Sequence, residues 1–598
     1  MAIPNRNEVP EELKWDLTRI FKNDEEWEQA YAAAQEKIDQ LGELKGTLAK
    51  SGKDLYEGLT KILAVKREVE NIYVYATMSS DVDTANSHYL GYVSRVQSLA
   101  NQFEAATSFI NPEILSIPSD KLAEFKQAEP RLKNYAHYLE MITNKRPHTL
   151  PAEQEKLIAD AGDALGVSEN TFNVLTNSDM EYGYVQDDDG NMEQLSDGLY
   201  SLLIQSQNRD VRKGAFDTLY ATYSQFQNSL ASTLSGVVKK HNYNAKAHKY
   251  DSARQAALAE NGVPEAVYDT LIQEVDSHLD LLHRYVALRK KILGLKDLQM
   301  WDMYVPLTGK PSLSYNFEEA KEVAKKALNP LGEDYLKHVD YIFNNRVIDP
   351  IESKNKVTGA YSGGAYDTDP YELLNWEDNI DSLYTLVHET GHSVHSWYTR
   401  NTQPYVYGDY PIFVAEIAST TNENILTEYF LDHITDPKTR AFILNYYLDS
   451  FKGTLFRQTQ FAVFEQFLHE ADANGEPLTA DTLDDVYGQI NQHYYGDSVE
   501  PGGDIALEWS RIPHFYYNFY VYQYATGFAA ATALANKVVH GTPAERDAYL
   551  GFLKAGSSDY PTEIMKRAGV DMTKPDYLED AFKTFEKRLN EFESLIEK

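Results

Sequence analysis

Apolar residues recur at three- and four-residue spacing along most of the chain, which is the pattern of amphipathic α-helices. The clearest runs are Glu25–Leu41, Asp54–Ser79, Tyr89–Phe109, Glu153–Ala164 and Pro264–Ile292. Turns that contain proline or glycine separate these runs, and no repeat or low-complexity tract occurs in the 598 residues. The pattern therefore predicts a mainly α-helical protein.

One interruption of the helical pattern lies before residue 200. Met180–Gln186 and Asn191–Leu195 are short segments on either side of Asp187-Asp188-Asp189-Gly190. A tight Asp-Gly turn between two short segments is typical of a β-hairpin. The chain has no linker of obvious composition, so we expect a domain boundary after this hairpin, with residues 1–200 as an N-terminal helical domain.

A second interruption, Lys356–Trp376, is rich in glycine and aromatic residues. It predicts strands at Val357–Tyr361 and Tyr371–Trp376, with a flexible turn at Ser362-Gly363-Gly364. A small sheet here can present an edge that pairs with an extended peptide. The alternative is that the glycines only form a surface loop.

Composition and charge narrow the classes of function. A hydrophobic content of 42% and a charged content of 25% fit an ordinary globular protein. The chain has 91 Asp and Glu against 56 Lys and Arg, and its net charge of −35 disfavours nucleic acid and anionic membranes as partners. It has no cysteine, which excludes disulfides, thiolate metal ligands and cysteine nucleophiles.

Targeting signals are not evident in the sequence. The first residues, MAIPNRNEVPEELKWDL, are charged and lack the apolar core of a signal peptide. No run of 18 apolar residues occurs, so we expect no transmembrane helix. A cytoplasmic protein is the simplest interpretation.

The pentapeptide His388-Glu389-Thr390-Gly391-His392 carries the most specific chemical signal. Residues four apart on an α-helix share a face, so both imidazoles can reach one metal ion, and neutral imidazole is a good zinc ligand. Glu389 lies beside them and can act as a base toward a water, which is the HExxH arrangement of zinc peptidases. With 16 His in the chain, chance yields only about 0.03 such motifs.

The residues around this motif predict a long helix. Asp381–Tyr398 contains no proline, and its leucines and valines recur at helical spacing. Glycine is a poor helix former, so Gly391 in the middle indicates that another element packs closely against its backbone. The alternative is an exposed helix that carries two histidines by chance.

A tetrahedral zinc site needs a third protein ligand beside two histidines. After a turn-rich loop, Asn401–Pro411, the segment Phe413–Phe430 is predicted as a second helix, which can return Glu416 to the first. The apolar neighbours of Glu416 in sequence indicate that its carboxylate needs a partner. Glu423, two turns on, can accept a hydrogen bond from a ligand imidazole. His395 is the weaker candidate ligand, and a flanking role suits it better.

Five stretches of the chain match one family of enzymes. They are the HETGH motif, Phe413–Glu423 (FVAEIASTTNE), Pro10–Phe21 (PEELKWDLTRIF), Gly359-Ala360-Tyr361 and Arg511–Gly527 (RIPHFYYNFYVYQYATG). Together they resemble the thimet oligopeptidase/neurolysin family of zinc peptidases, and more closely its bacterial branch, oligoendopeptidase F. The resemblance spans nearly the whole chain.

The resemblance implies a mainly α, ellipsoidal shell with a deep channel that admits short unfolded peptides, and a small sheet near the zinc helix. It implies a zinc-dependent endopeptidase that cleaves internal bonds of oligopeptides, with residues 201–598 as the catalytic domain. The site residues that it implies are His388, His392 and Glu416 as ligands of one zinc ion, Glu389 as general base, Glu423 as support of a ligand, and Gly359, Ala360 and Tyr361 as substrate contacts.

The tyrosine-rich segment is where the resemblance places donors to the oxyanion. The spacing His514-x-x-Tyr517 matches the positions at which such family members carry them. Animal members have a further histidine in a glycine-rich loop ahead of this segment, but the matching stretch Glu500–Arg511 has none, so the second donor stays open. Core packing is the alternative for most of these tyrosines.

Other functions stay open on sequence grounds. An end-acting zinc peptidase of the dipeptidyl carboxypeptidase type would use the same metal site. A non-catalytic peptide-binding protein is disfavoured by the intact Glu389 and the complete ligand set, and a helical scaffold without metal would require the whole pattern to be accidental. Zinc suits a His₂Glu site best, with cobalt or manganese as alternatives. Oligomeric state and cleavage preference are not predicted.

Overall fold

The computed structural model describes residues 3–309, 313–500 and 502–597. Helices dominate these residues, which confirms the mainly α fold. The α-helices are, in chain order, α1 (Asp24–Leu41), α2 (Gly52–Asp81), α3 (Ser87–Thr107), α4 (Ile110–Ser116), α5 (Ser119–Ala128), α6 (Ala136–Asn144), α7 (Ala152–Asp160), α8 (Gly162–Val174), α9 (Asp197–Leu203), α10 (Arg209–Gln225), α11 (Gln227–Ala247), α12 (Ala253–Glu260), α13 (Glu265–Ser277), α14 (Leu279–Ile292), α15 (Phe317–Ala327), α16 (Glu333–Asn344), α17 (Ile380–Thr402), α18 (Ile412–His433), α19 (Pro437–Phe451), α20 (Arg457–Ala473), α21 (Ala480–Tyr495), α22 (Tyr522–His540), α23 (Pro543–Leu553), α24 (Pro561–Arg567) and α25 (Asp576–Ile596). Across the described residues, none of these helices has the length and apolarity that a membrane span requires.

Two small sheets accompany the helices. The strands are β1 (Tyr184–Gln186), β2 (Met192–Gln194), β3 (Ile348–Asp349), β4 (Tyr361–Gly363) and β5 (Tyr371–Leu373). Strands β1 and β2 form the predicted antiparallel hairpin around the Asp-Gly turn. The second sheet has the order β3-β5-β4, with β3 parallel and β4 antiparallel to β5, so β4 lies at an edge.

The second predicted sheet is present, but the boundaries of its first strand were predicted wrongly. The strand expected at Val357–Tyr361 begins only at Tyr361, and Ser362 and Gly363, expected as a turn, belong to β4. The chain before Tyr361 instead forms a loop, in which Gly359 has a φ of 83°, a value that favours glycine. The two-residue strand β3 was not predicted, since two residues are too short for a periodic signal.

Two of the predicted long helices are each broken in two. Glu153–Ala164 divides at Ala161 between α7 and α8, and Pro264–Ile292 divides at His278, where the backbone turns to φ −118° and ψ 16°. Gly162 directly follows the first break and is consistent with it, whereas no proline or glycine lies at the second.

The chain forms two compact units, each assembled from separated segments. The first comprises the described residues of Met1–Pro147, Leu313–Tyr429 and Leu534–Gly569, and the second those of His148–Ser312, Phe430–Ala533 and Val570–Lys598. The boundary expected near residue 200 stays a prediction, because compact packing does not by itself show which part of a chain folds alone.

The first unit has its core around α2. Leu55, Leu59, Ile62, Ile72 and Ala76 recur at helical spacing on one face of α2 and are buried, because α1 and α3 pack against that face. The α17 helix belongs to the same unit and is capped at its N-terminus by Asn379, whose side chain accepts a hydrogen bond from Ser382 N–H at 2.8 Å.

The second unit is also helical and contains buried ion pairs. The Glu508 carboxylate, for example, accepts hydrogen bonds from Arg457 at 2.5 Å and from Tyr487, all three of them buried or nearly so. Such a pair is retained inside a core only where its charges are matched, as they are here.

Candidate active site

Helix α17 presents the two histidines of the pentapeptide side by side, as their spacing predicts. Their Nε2 atoms lie 3.2 Å apart. The side chains of His388 and His392 are 25% and 15% exposed, while the leucines and valines on the opposite face of α17 are buried. The amphipathic pattern of this helix therefore turns both imidazoles away from the core.

Helix α18 brings Glu416 to the same point. Its Oε2 atom lies 3.3 Å from the Nε2 atoms of both His388 and His392. Within the described residues these three form the group of side chains that can hold a metal ion. The predicted helix–loop–helix return is confirmed, and Ser419 adds a hydrogen bond from its Oγ to Glu416 Oε2 at 3.0 Å.

Gly391 permits the close approach of the two helices. A Cβ atom at this position would lie 2.7 Å from the Cα of Ser419, a separation that side chains do not tolerate. The prediction that another backbone packs against Gly391 is confirmed. Asn422 strengthens the contact, because its amide donates to the carbonyl of Val387 at 3.2 Å.

Glu423 determines the tautomer of His388. Its Oε1 lies 2.5 Å from His388 Nδ1, and a carboxylate can only accept, so the proton of the imidazole resides on Nδ1. The Nε2 of His388 faces Glu416 and His392, and it offers a lone pair to a metal ion when the imidazole is neutral. This contact is the one expected for Glu423 from its position two turns after Glu416.

The three ligand atoms fit a metal ion by their chemistry and their spacing. Two imidazole nitrogens and one carboxylate oxygen are the donors of His₂Glu zinc sites. Bonds of about 2.0–2.1 Å at tetrahedral angles place ligand atoms roughly 3.3–3.4 Å apart. The observed separations of 3.2, 3.3 and 3.3 Å agree with that arrangement.

The electrostatics of the group also favour a cation. Burial lowers the pKa of His388, but its hydrogen bonds to Glu416 and Glu423 outweigh burial and raise the pKa to about 10. Burial likewise opposes ionisation of Glu416, yet the two imidazoles hold its pKa well below the usual range. The group thus binds positive charge strongly, and a metal ion competes with the proton for it.

Glu389 lies next to the ligands and is buried, with 6% of its surface exposed. Burial raises the pKa of its carboxyl, while a hydrogen bond from the backbone N–H of Ser362 acts in the opposite sense. The Ser362 hydroxyl is itself 2.9 Å from the hydroxyl of Ser393 on α17. Strand β4 therefore lies beside the Glu389 carboxyl, and the identity of Ser362 does not predict this proximity, because the group concerned is a backbone N–H.

The exposure of Glu416 and the place of His395 differ in part from what the sequence predicts. The apolar neighbours of Glu416 in sequence do not bury it, since its side chain is 51% exposed. They face the core from the adjacent stripe of α18, whereas Ile412 and Glu416, four residues apart, share the exposed stripe. His395 takes no part in the metal group: it is buried, with its ring stacked on Tyr410 at 3.7 Å.

The expected substrate residues lie beside α17 in the first unit. Gly359 and Ala360 line a cavity of about 280 Å³, which Trp376 and Thr385 also border. Thr385 precedes His388 by three residues, one turn along α17, so both residues lie on the same side of that helix. Tyr361 differs from the other two, because its hydroxyl donates to Asp81 at 2.7 Å and stabilises the unit internally.

His514 and Tyr517 belong to the second unit, where they form a ring cluster with Tyr520 and Tyr524. The centroid of the His514 ring lies 5.7, 6.3 and 5.8 Å from those of Tyr517, Tyr520 and Tyr524. Tyr517 is 49% exposed, whereas Tyr522 is buried as core packing predicts. Burial lowers the pKa of His514, which favours its neutral form.

Comparison with known proteins identifies the family of this chain. The sequence profile described as Peptidase family M3 matches residues 202–584, and that described as Oligopeptidase F matches residues 113–182. Oligopeptidase PepF of Bacillus subtilis (strain 168) is 50% identical over 597 residues, which cover 100% of this chain and 89% of that protein. The chain belongs to peptidase family M3.

Two further relatives agree over nearly full length. The plasmid-encoded oligoendopeptidase F of Lactococcus lactis subsp. cremoris is 50% identical over 595 residues, 99% of either chain. The crystal structure of oligoendopeptidase-F from Enterococcus faecium superposes with a TM-score of 0.75 at 45% identity, covering 96% of this chain and 99% of that one. The resemblance drawn from the HETGH motif and its companion stretches is thus confirmed.

Membership of family M3 makes the chain a metallo-oligopeptidase, a hydrolase with oligopeptides as substrates. The family implies a metal ion, and the His388–His392–Glu416 group is compatible with it.

Proposed function

We propose that the chain is a zinc-dependent oligoendopeptidase, which hydrolyses internal bonds of short unfolded peptides. The observation that carries this proposal is the convergence of His388, His392 and Glu416 at tetrahedral ligand separations, with the buried carboxyl of Glu389 directly beside them. One zinc ion per chain would be held by these three residues, with Glu423 orienting His388 through its Nδ1–H.

Zinc bound there would act as a Lewis acid toward the scissile carbonyl and lower the pKa of a water toward neutrality. The protein supplies the proton transfers. Glu389 takes a proton from the attacking water as general base, and its raised pKa makes the carboxylate a stronger acceptor than an exposed one. The Ser362 N–H faces the same carboxyl, and Glu389 then delivers the proton to the leaving amine.

The second group that we assign to the reaction is Tyr517, with His514 as a further candidate. The resemblance places an oxyanion donor at Tyr517, and this residue is half exposed, whereas Tyr516 and Tyr522 are buried. A phenol O–H aimed at the developing oxyanion stabilises the transition state more than the ground state.

Replacing Tyr517 by Phe tests this donor. We expect kcat to fall by about 10²-fold with little change in KM, because the hydrogen bond is made in the transition state. Steady-state kinetics on a fluorogenic oligopeptide measures both constants. Tyr184→Phe on strand β1, an exposed tyrosine of the same unit, is the matched control and should keep wild-type kinetics. A change in KM alone at Tyr517→Phe would refute the assignment.

The cavity lined by Gly359 and Ala360 is proposed as a side-chain subsite beside the edge strand β4. Ala360→Leu should fill part of its 280 Å³ and lower kcat/KM about tenfold or more for peptides with a large apolar residue there, while small residues are accepted as before. Mass spectrometry of a peptide mixture after cleavage gives the residue profile around the cut. An unchanged profile beside that of the exposed control Ala33→Leu would exclude the subsite.

Internal and terminal cleavage are distinguished with one peptide in two forms. The same internally quenched oligopeptide is offered with both ends blocked and with both ends free, and mass spectrometry locates the cut. The proposal predicts cleavage at one internal bond in both forms. Cleavage of the free form alone would assign the chain to the end-acting zinc peptidases instead, and zinc-loaded protein that cuts neither form would be a peptide-binding protein.

A further inference from the structure

A buried carboxyl in the second unit holds the backbone of the segment that carries Tyr517. Glu465 lies on α20 and is fully buried, and its Oε1 accepts a hydrogen bond from the backbone N–H of Phe519 at 2.6 Å. Among the described residues Oε2 has no hydrogen-bond partner. Burial raises the pKa of Glu465 to about 8, and this N–H is the one group that opposes the rise.

The segment that receives this hydrogen bond has an unusual backbone. Asn518 and Phe519 have φ values of 48° and 58°, both in the left-handed region. Asparagine adopts that region at modest cost, but a bulky residue such as phenylalanine rarely does, so the surrounding structure must hold it there. Two contacts of Phe519 do so: its N–H bonds to Glu465, and its ring packs on His469 and Tyr268 with centroids 4.5 and 5.7 Å away.

The left-handed pair directly follows Tyr517 and precedes Tyr520. Both tyrosines belong to the ring cluster with His514, with Tyr517 and Tyr520 centroids 6.4 Å apart. Phe515 and Phe519 are buried on either side, so the segment is fixed at its buried residues and presents Tyr517 outward. If residues 518 and 519 relaxed to the right-handed region, the direction of the chain after Tyr517 would change, and the phenol would move with it.

We propose that Glu465 is a positioning residue for the reaction, which acts by holding Phe519 N–H and thereby the orientation of the Tyr517 phenol. The inference rests on the proposed role of Tyr517 as oxyanion donor. It also explains why an acid occupies an apolar run of α20, between Phe464 and Leu468: a carboxyl with a single partner destabilises a core relative to an apolar residue of the same size.

The test compares Glu465→Leu and Glu465→Gln in the zinc-loaded enzyme. Leucine fills the space but offers no acceptor, so the phenol loses its fixed orientation, and kcat should fall about tenfold or more. KM should stay within about threefold of wild type, since the contact served is made in the transition state. Glutamine retains an oxygen for Phe519 N–H and should restore kcat to within about threefold.

A double substitution separates positioning from a general loss of structure. If Glu465 acts through Tyr517, then Glu465→Leu should lower kcat by no more than about twofold in the Tyr517→Phe background. The same loss in both backgrounds, or no loss in wild type, overturns the inference. Should Glu465→Leu fail to fold, Glu465→Asp, which withdraws the acid by one methylene, takes its place with the same expectations.

The kinetics of the two single variants separate a wrongly assigned donor from a wrongly assigned positioning residue. If Tyr517→Phe retains the wild-type kcat, the donor is wrongly assigned and the role of Glu465 falls with it. If Tyr517→Phe loses activity while Glu465→Leu does not, the donor stands and only the positioning role is refuted.

Discussion

Replacing Glu389 by Gln should lower kcat by about 10³-fold and leave the metal bound. Glutamine has nearly the same shape, and its side-chain oxygen can still accept the hydrogen bond from Ser362 N–H. It cannot take a proton from water at neutral pH, so the general base is lost while the three ligands are untouched. Steady-state kinetics and elemental analysis of the same sample measure the two quantities.

The matched control for this change is Glu36→Gln on α1, an exposed acid in the same unit with no assigned role. It should keep wild-type kcat. A Glu389→Gln enzyme that carries one metal ion and retains more than about a tenth of wild-type kcat would contradict the role of Glu389, because loss of a general base costs roughly 10²-fold at least.

Removing the carboxylate ligand should have the largest effect on the metal. Glu416→Ala takes away one of three ligand atoms and should lower zinc affinity by more than the roughly 10–100-fold expected when only a supporting contact is lost. Glu423→Ala provides that comparison, since it leaves all three ligands and removes the acceptor of His388 Nδ1–H. Competition titration with a chromophoric chelator gives both affinities.

The order of these two losses is the decisive result. Glu416 touches the metal in the proposed site, whereas Glu423 acts only through His388, so Glu416→Ala must be the weaker binder. A wild-type affinity for Glu416→Ala, or a smaller loss than that of Glu423→Ala, would show that the third ligand lies elsewhere.

Helical periodicity explains why so much of the metal group could be predicted from sequence. Spacing of four residues fixes His388 and His392 on one face, and a spacing of seven relates Glu416 to Glu423. Gly391 could be interpreted because glycine inside a helix has few explanations, of which close packing is one. These predictions require only the local geometry of a helix and the packing of one helix against the preceding one.

The parts that were missed depend on contacts between distant segments. Ser362 meets Glu389 through its backbone N–H, and a backbone donor leaves no mark in the sequence. The strand boundaries around β4 and the two-residue β3 arise from pairing with β5 and not from a periodic pattern. The break between α13 and α14 likewise carries no proline or glycine.

Adjacent residues in the sequence do not predict whether an acid on a helix is buried. Glu416 has apolar neighbours in sequence yet is half exposed, because the helix turns them to a different face. Glu465 has similar neighbours and is fully buried, since Phe461 and Leu468, one turn before and nearly one turn after, also face the core. Residues three and four positions away predict burial on a helix better than adjacent ones do.

Anomalous diffraction at the zinc absorption edge, from crystals of the active zinc-loaded protein, shows directly whether zinc binds to His388, His392 and Glu416. We expect one strong peak per chain, roughly 2.0–2.2 Å from His388 Nε2, His392 Nε2 and Glu416 Oε2. A peak bound by other side chains, or no peak at these three residues in protein that cleaves peptides, would contradict this expectation.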